Sequence, residues 1–358
     1  MPVDPGGRIS RSPKPDGIVV SVVICTYDRY GLLPEAIASV LQQDAPAGSF
    51  EVIVVDNSPD QRGARQFATR YADTPDVTYL LEPKPGLSNA RNVGITAARG
   101  GLVAFIDDDA RASPSWISEL VTAHRFYGGR AGVVGGRVAP RWLGPPPSWL
   151  GPKLHGYLSV LDLGPNLREL SAGEWLLGCN ISFDKAVLIS AGGFSSALGR
   201  IGPEATLLSN DDIEVCERIR KTGKIAAYAP NAIVEHVVDP RRLTQDWFRR
   251  RAAWQAVSDL LARPEQAAML GAKAARQLSE AGLQRRPRDR FRDRDNAAEL
   301  HRDMLALYNT VVVALCGGAP ADMPSGRTGI AAFSLRRLRS MLRSAPRFRT
   351  VEQRKPDA

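Results

Sequence analysis

The sequence predicts an α/β fold with a mostly parallel central sheet flanked by helices, and three observations predict it. Apolar, β-branched runs of strand length alternate with helical apolar spacing over residues 18–112, the intervals between them are short, and most of the runs end in polar or acidic residues. IVVSVVICTYDR (18–29) reads as the first strand and LLPEAIASVLQQ (32–43) as the helix after it. FEVIVVDNS (50–58) is a second buried strand, RGARQFATRYA an amphipathic helix, and VTYLLE (77–82) a third strand. After a KPG turn, SNARNVGITAARG (88–100) reads as a helix with Ser88 or Asn89 at its cap and glycines past its end. LVAFIDDD (102–109) closes the series as a fourth strand. Sheets of this kind are covered by helices on both faces, which suits strands that are apolar throughout.

Composition narrows the function. The chain of 358 residues is 44% hydrophobic, enough for a sizeable core plus an extension. No run reaches the ~18 apolar residues of a membrane span, and the first residues lack the apolar middle of a secretory signal. The expectation is a cytoplasmic protein. Its four cysteines, Cys25, Cys179, Cys216 and Cys316, are far apart and read as reduced thiols rather than a disulfide framework or zinc knuckle. Net charge is +9, with much of the excess after residue 240. That basic end suits solvent or an anionic membrane at the inner face better than nucleic acid, because too few aromatics are interleaved for base stacking.

Ligands of open α/β sheets bind at the carboxyl ends of the strands. Thr26, Asp28 and Arg29 end the first strand, Asp56 the second, Lys84 follows the third, and Asp107, Asp108 and Asp109 end the fourth, so all should face one crevice. The glycine fingerprint of a hydride-transfer enzyme is absent where CTYDRYG stands, and GxxxxGK[ST] is absent throughout. Carboxylates without a glycine cradle hold phosphate through a divalent cation, which prefers oxygen ligands. A turn at Asp108 would let Asp107 and Asp109 converge on it.

SVVICTYDR, VIVVDNS, PGLSNARNVGITAARGGLVAFIDDDA, LGCNISFDKAVLISAGGF and SNDDIEVCERIRKTG, in that order, resemble glycosyltransferase family 2 over residues 18 to 240 or so. The resemblance implies a GT-A fold and an inverting transfer from a nucleoside diphosphate sugar, a UDP-sugar favoured, to an acceptor hydroxyl on a glycolipid, a polysaccharide precursor or a small molecule. It implies that Thr26, Asp28, Arg29 and Asp56 hold base and ribose, and that Lys84, Asn89 and Arg91 approach the nucleotide and diphosphate. Asp107 and Asp109 become the ends of a D-x-D metal motif for Mg²⁺ or Mn²⁺, Asp107 and Asp108 also count as donor-binding, with one of the three aspartates on the ribose rather than the ion, and His236 is a third metal ligand. Gly178 to Asn180 approach the transferred sugar. The family's acidic pair, normally Glu-Asp, reads Asp211-Asp212 here; Asp212 then stands as general base, and Asp211 meets the acceptor or a donor hydroxyl.

The implied organisation is a flexible N-terminus over 1–17, a GT-A domain over 18–262 and a helical basic extension over 263–358. The domain comprises a Rossmann-like nucleotide-binding half (18–112) and a sugar and acceptor half (113–262). Arg249 to Arg251 are expected on a solvated or membrane-facing helix side. Two other readings stay open: a sugar-1-phosphate nucleotidyltransferase, which usually begins with a glycine-rich, arginine-bearing loop that CTYDRYG matches poorly, and a non-catalytic module that binds membrane or nucleic acid through its basic end.

Overall fold

Val20–Thr26 (β1), Phe50–Asp56 (β2), Val77–Leu81 (β3) and Leu102–Asp107 (β4) form the expected strands and pair in parallel in the order β3-β2-β1-β4. The computed structural model describes residues 17–202, 207–280 and 292–316. The N-terminus assigned to 1–17 lies outside them but for Gly17, as does the arginine-rich end beyond residue 316 proposed for membrane contact.

Strand side chains alternate between the two faces, and each face has its own helices. Val22, Ile24, Val52, Val54, Ala104 and Ile106 pack in one core with α1 (Leu33–Leu41), α2 (Gln61–Ala68) and, further along the chain, α4 (Trp116–Tyr127). Val23, Ile53, Val55, Val103 and Phe105 pack in another with α3 (Leu87–Ala97), α5 (Lys185–Ser190) and α6 (Asp211–Arg220). The α3 helix begins one residue earlier than expected and is not capped by Ser88 or Asn89. Gly86 occupies the cap at φ 133°, a conformation a side chain would resist.

The sheet does not stop at β4. Ala110–Ala112 (β5), Ala131–Trp142 (β6), Arg168–Glu169 (β7), Asn180–Asp184 (β8) and Ile225–Val238 (β9) extend it in the order β4-β8-β6-β9-β5, with β7 also on β9. β8 runs antiparallel to both β4 and β6, so the sheet is mixed. The reversal has a use: the residues that enter β8 arrive at the carboxyl edge of β4, where Ile106 pairs with Asn180. The long parallel pair β6–β9 then carries His236 to a position opposite Ala110.

By contact, the described residues of 144–157, 207–210 and 239–316 form a unit distinct from the sheet unit. In it α7 (Gln245–Ala262), α8 (Ala267–Glu280) and α9 (Ala297–Leu315) share a core of Trp254, Val257, Ala274, Val311 and Val312. The boundary placed at 262/263 falls between α7 and α8. Apolar residues of α7 pack with those of α9, which is why the helix groups with the C-terminal chain. Trp149 and Tyr157 lie edge-on to Phe248 inside this unit. Arg249 is buried rather than solvated, with Gln245 and the Arg292 carbonyl as partners. No helix among the described residues is long and apolar enough to cross a membrane.

The β6–β9 pair depends on one close approach. A Cβ on Gly136 would lie 1.8 Å from the Ala232 carbonyl oxygen, which is backbone and cannot swing aside. Gly136→Ala is expected to lower stability by about 1–3 kcal/mol, the usual range for forced overpacking, and the urea midpoint checks it.

Candidate active site

Burial makes the aspartate triplet unusual. β4 ends at Asp107 and a turn at Asp108 and Asp109 leads into β5, so the three carboxylates are gathered at one sheet edge. Asp108 and Asp109 are buried, and the Asp107 side chain is 35% exposed. Thr26 Oγ1 donates to Asp108 Oδ2 at 2.7 Å, and Arg29 lies across Asp108 and Asp109. His236 Nε2 stands 3.3 Å from Asp109 Oδ1 and 4.0 Å from Asp107 Oδ2. Burial and the neighbouring Asp109 push the Asp108 carboxyl up to about 7, against the pull of Arg29. Burial likewise raises Asp107, with Arg91 opposing. Carboxylates this hard to ionise together are short of positive charge.

The second cluster centres on Arg91, placed by α3 and 3% exposed. Its Nη1 donates to Asp211 Oδ2 at 2.5 Å, its Nη2 donates to the Gly178 carbonyl at 3.2 Å, and Nη2 lies 3.7 Å from Asp107 Oδ1. Burial works against this charge, but Asp211 and Asp107 more than offset it and push the guanidinium pKa up. A Cβ on Gly178 would stand 2.5 Å from Arg91 Nη2, so glycine is what lets the chain pass.

Asp211 and Asp212 share the first turn of α6 but not a role. Asp211 is buried and taken up by Arg91. Asp212 is partly exposed; it accepts from Gly178 N–H at 2.8 Å through Oδ2 and from Ile213 N–H at 2.8 Å through Oδ1. Burial, then the charge of Asp211, pushes it up to about 6 despite those two bonds and Arg91.

Other residues singled out in the sequence stand elsewhere. Asp56 is fully buried: Tyr79 and Tyr30 hydroxyls donate to Oδ2 at 2.6 and 3.0 Å and Ser58 N–H to Oδ1 at 3.0 Å. Asn180, expected at the sugar, has no exposed surface. Its amide donates to the Arg137 and Ala232 carbonyls and accepts from Trp116 Nε1, all at 2.8 Å. These bonds tie β8 to β6, β9 and α4. Asp28 is exposed at φ 54° with its N–H on Ser58 Oγ. Lys84 is exposed, and its carbonyl accepts from Asn57 and Asn89.

Sequence reasoning passed over Cys179. A carboxylate oxygen of Asp107, the Cys179 sulfur and a His236 ring nitrogen lie within 4.8 Å of one another. Its signal was position: it stands between Gly178 and Asn180, at the entry to β8. Burial, then Asp107, Asp109 and Asp212, pushes its thiol pKa up. The donor set of carboxylates and imidazole, with its deficit of positive charge, fits a divalent cation.

The family model and the relatives place this chain among the glycosyltransferases. The family model described as glycosyl transferase family 2 matches residues 21–169. A glucosyl-dolichyl phosphate glucuronosyltransferase of Haloferax volcanii is 32% identical over 245 residues, covering 67% of this chain and 75% of that protein. The succinoglycan biosynthesis protein ExoM of Rhizobium meliloti is 26% identical over 238 residues, covering 65% and 71%. A mannosyltransferase of Pyrobaculum calidifontis, solved with GDP-Man and Mn²⁺, superposes with a TM-score of 0.49 at 21% identity, covering 96% of this chain and 84% of that one. This chain belongs to glycosyltransferase family 2 and has its GT-A fold.

Arg91→Ala would leave Asp211 buried and unpaired. The expected loss is roughly 3–5 kcal/mol of stability, read as a fall in Tm, and Arg91→Lys should recover only part of it because lysine cannot engage Asp211 and the Gly178 carbonyl with one planar group.

Proposed function

We propose an inverting, divalent-metal-dependent transfer of a sugar from a nucleoside diphosphate sugar to an acceptor hydroxyl. The observation that carries it is the division of labour at one sheet edge: three carboxylates gathered with an imidazole at the end of β4, and a separately held carboxylate, Asp212, bonded to the backbone next to that cluster. Asp107, Asp109 and His236 would hold the ion, Mg²⁺ or Mn²⁺. When bound, it neutralises charge growing on the leaving diphosphate. Thr26, Asp28, Arg29, Asp56, Lys84, Asn89 and Asp108 are proposed for the nucleotide side. Asp56 would act there through Tyr30, whose hydroxyl it holds. Arg91, Gly178 and Asn180 set the floor beneath the sugar.

Asp212 takes the acceptor proton as the acceptor oxygen attacks the anomeric carbon opposite the leaving group, and one displacement inverts the centre. Asp211 is unsuited to that step because its charge is already committed to Arg91. The Gly178 and Ile213 N–H groups fix the direction of the Asp212 carboxylate and favour its ionised form. For the acceptor we favour a sugar hydroxyl of a lipid-linked or polysaccharide precursor, following the names of the Haloferax and Rhizobium relatives. Membership of a transferase family argues against both the nucleotidyltransferase and the non-catalytic module.

Calorimetry with UDP, GDP and dTDP, with Mn²⁺ and with EDTA, tests the donor site. One nucleotide should bind only with metal, and Asp107→Asn should abolish that dependence; equal binding in EDTA would remove metal from the reading. Asp212→Asn should keep donor binding while turnover falls by the 10² or more typical of general-base loss, about 10²–10⁴. The pH profile follows from the raised pKa: a base must be ionised, so kcat/KM should fall as pH drops below about 6 and level off above it. The linkage sign is opposite for stability. A carboxyl raised above its unfolded value of about 3.9 favours folding below that value and loses this contribution as pH rises toward 6, so Asp212→Asn should be no less stable than the parent at pH 7.

A further inference from the structure

Cys179 does not behave as a core thiol. Cys216 belongs to the core on the α3 face and Cys25 packs against it, whereas Cys179, although 3% exposed, belongs to none of the apolar cores of the described residues. Its surroundings are Asp107, Asp109, Asp212 and His236. Strand register puts it there. The β4–β8 ladder closes at Ile106 and Asn180, so Asp107 follows and Cys179 precedes that last pair, Cys179 in the turn that enters β8. His236 is fixed by pairing with Ala110, and the neighbouring Val237 N–H donates to the Asp109 carbonyl at 3.0 Å. Asp107 and His236 are carried on paired strands, which hold donors more rigidly than loops do.

Around one ion, ligand bonds of about 2.0–2.3 Å separate cis donors by roughly 3 Å and trans donors by roughly 4.5 Å. Three donors already within 4.8 Å of one another therefore need only small side-chain shifts to share a cation. The side chain of Asp107 keeps 35% of its surface exposed, so this cation would have an open side for a ligand.

We propose that Cys179 is an inner-sphere ligand of the metal site together with Asp107 and His236, which makes the site one of mixed oxygen, nitrogen and sulfur donors and turns its preference from Mg²⁺ toward Mn²⁺, Co²⁺ and Zn²⁺. The inference rests on the metal-dependent reading given above. Its chemistry is that of ligand softness. Mg²⁺ demands near-octahedral oxygen coordination and keeps its waters, whereas later first-row ions gain from sulfur and imidazole in the order Mn²⁺, Co²⁺, Zn²⁺. Coordination forms a metal–sulfur bond and sends the thiol proton to solvent.

The test is a Co²⁺ titration of the full chain followed by near-ultraviolet absorption, where sulfur bound to Co²⁺ gives a charge-transfer band that oxygen and nitrogen do not. The expected result is a band that saturates at one equivalent, is lost in Cys179→Ser and persists in Cys316→Ser, the control for the exposed thiol. Co²⁺ affinity in Cys179→Ser should fall at least tenfold, since removing even a partner outside the ligand shell costs about 10–100-fold, while Mg²⁺ affinity stays unchanged. Co²⁺ binding without the band, or a band that vanishes with Cys316, overturns the role of Cys179 and leaves the metal-dependent reading standing. Failure of both Co²⁺ and Mn²⁺ to bind overturns the two together. Cys179→Ala serves if the serine variant does not fold, and the parent spectrum with the Cys316 control decides whether any buried sulfur binds the ion.

Discussion

One buried guanidinium joins the parts of the site. Arg91 touches the end of β4 through Asp107, the start of α6 through Asp211 and the approach to β8 through the Gly178 carbonyl. β4 and β8 already meet as neighbouring strands, and the guanidinium ties the start of α6 to their shared edge. A buried arginine is costly to desolvate, and the cost is tolerable only because two carboxylates and a carbonyl surround it. Phe105 and Phe194 lie against the guanidinium, with its carbon 5.7 and 5.1 Å from the ring centres, and they fix its plane. Lysine could supply the charge but not this planar set of donors.

The arrangement separates two acidic groups that would otherwise disable each other. Asp107 and Asp211 both lean on Arg91, so its charge compensates the strand-end carboxylates on one side and the helix start on the other. Asp212, left to backbone N–H groups, keeps a weaker hold on its charge and a partly open surface. Adjacent residues thus differ by environment alone, a difference no one-letter code displays.

Much of the first half was legible in the sequence because parallel strands buried on both faces write themselves as continuous apolar runs, and β1 to β4 are such runs. The residues at their ends followed from the topology rule. What sequence could not convey was how each polar group spends its hydrogen bonds. Asp56 was read as ligand-facing from its position at a strand end and Asn180 from the family resemblance, but their neighbours Tyr30, Tyr79 and Trp116 are brought in by distant elements. Cys179 was read by its type, as a small buried hydrophobe, and that hid its surroundings. The grouping of α7 with the C-terminal helices was equally hidden, since an apolar helix face does not say which partner it covers.

The reversal of β8 makes the sheet a ruler. The Gly178 amide lies two residues before Asn180, the residue that closes the β4–β8 ladder by pairing with Ile106. A slip of one residue in that pairing would move the amide by about 3.3 Å, more than a hydrogen bond can absorb, and turn the Cys179 side chain to the opposite face. The distance between the carboxylates at the end of β4 and Asp212 therefore depends on main-chain hydrogen bonds more than on side-chain identity along β8. Loops around this edge are then free to diversify in length and composition without changing that spacing.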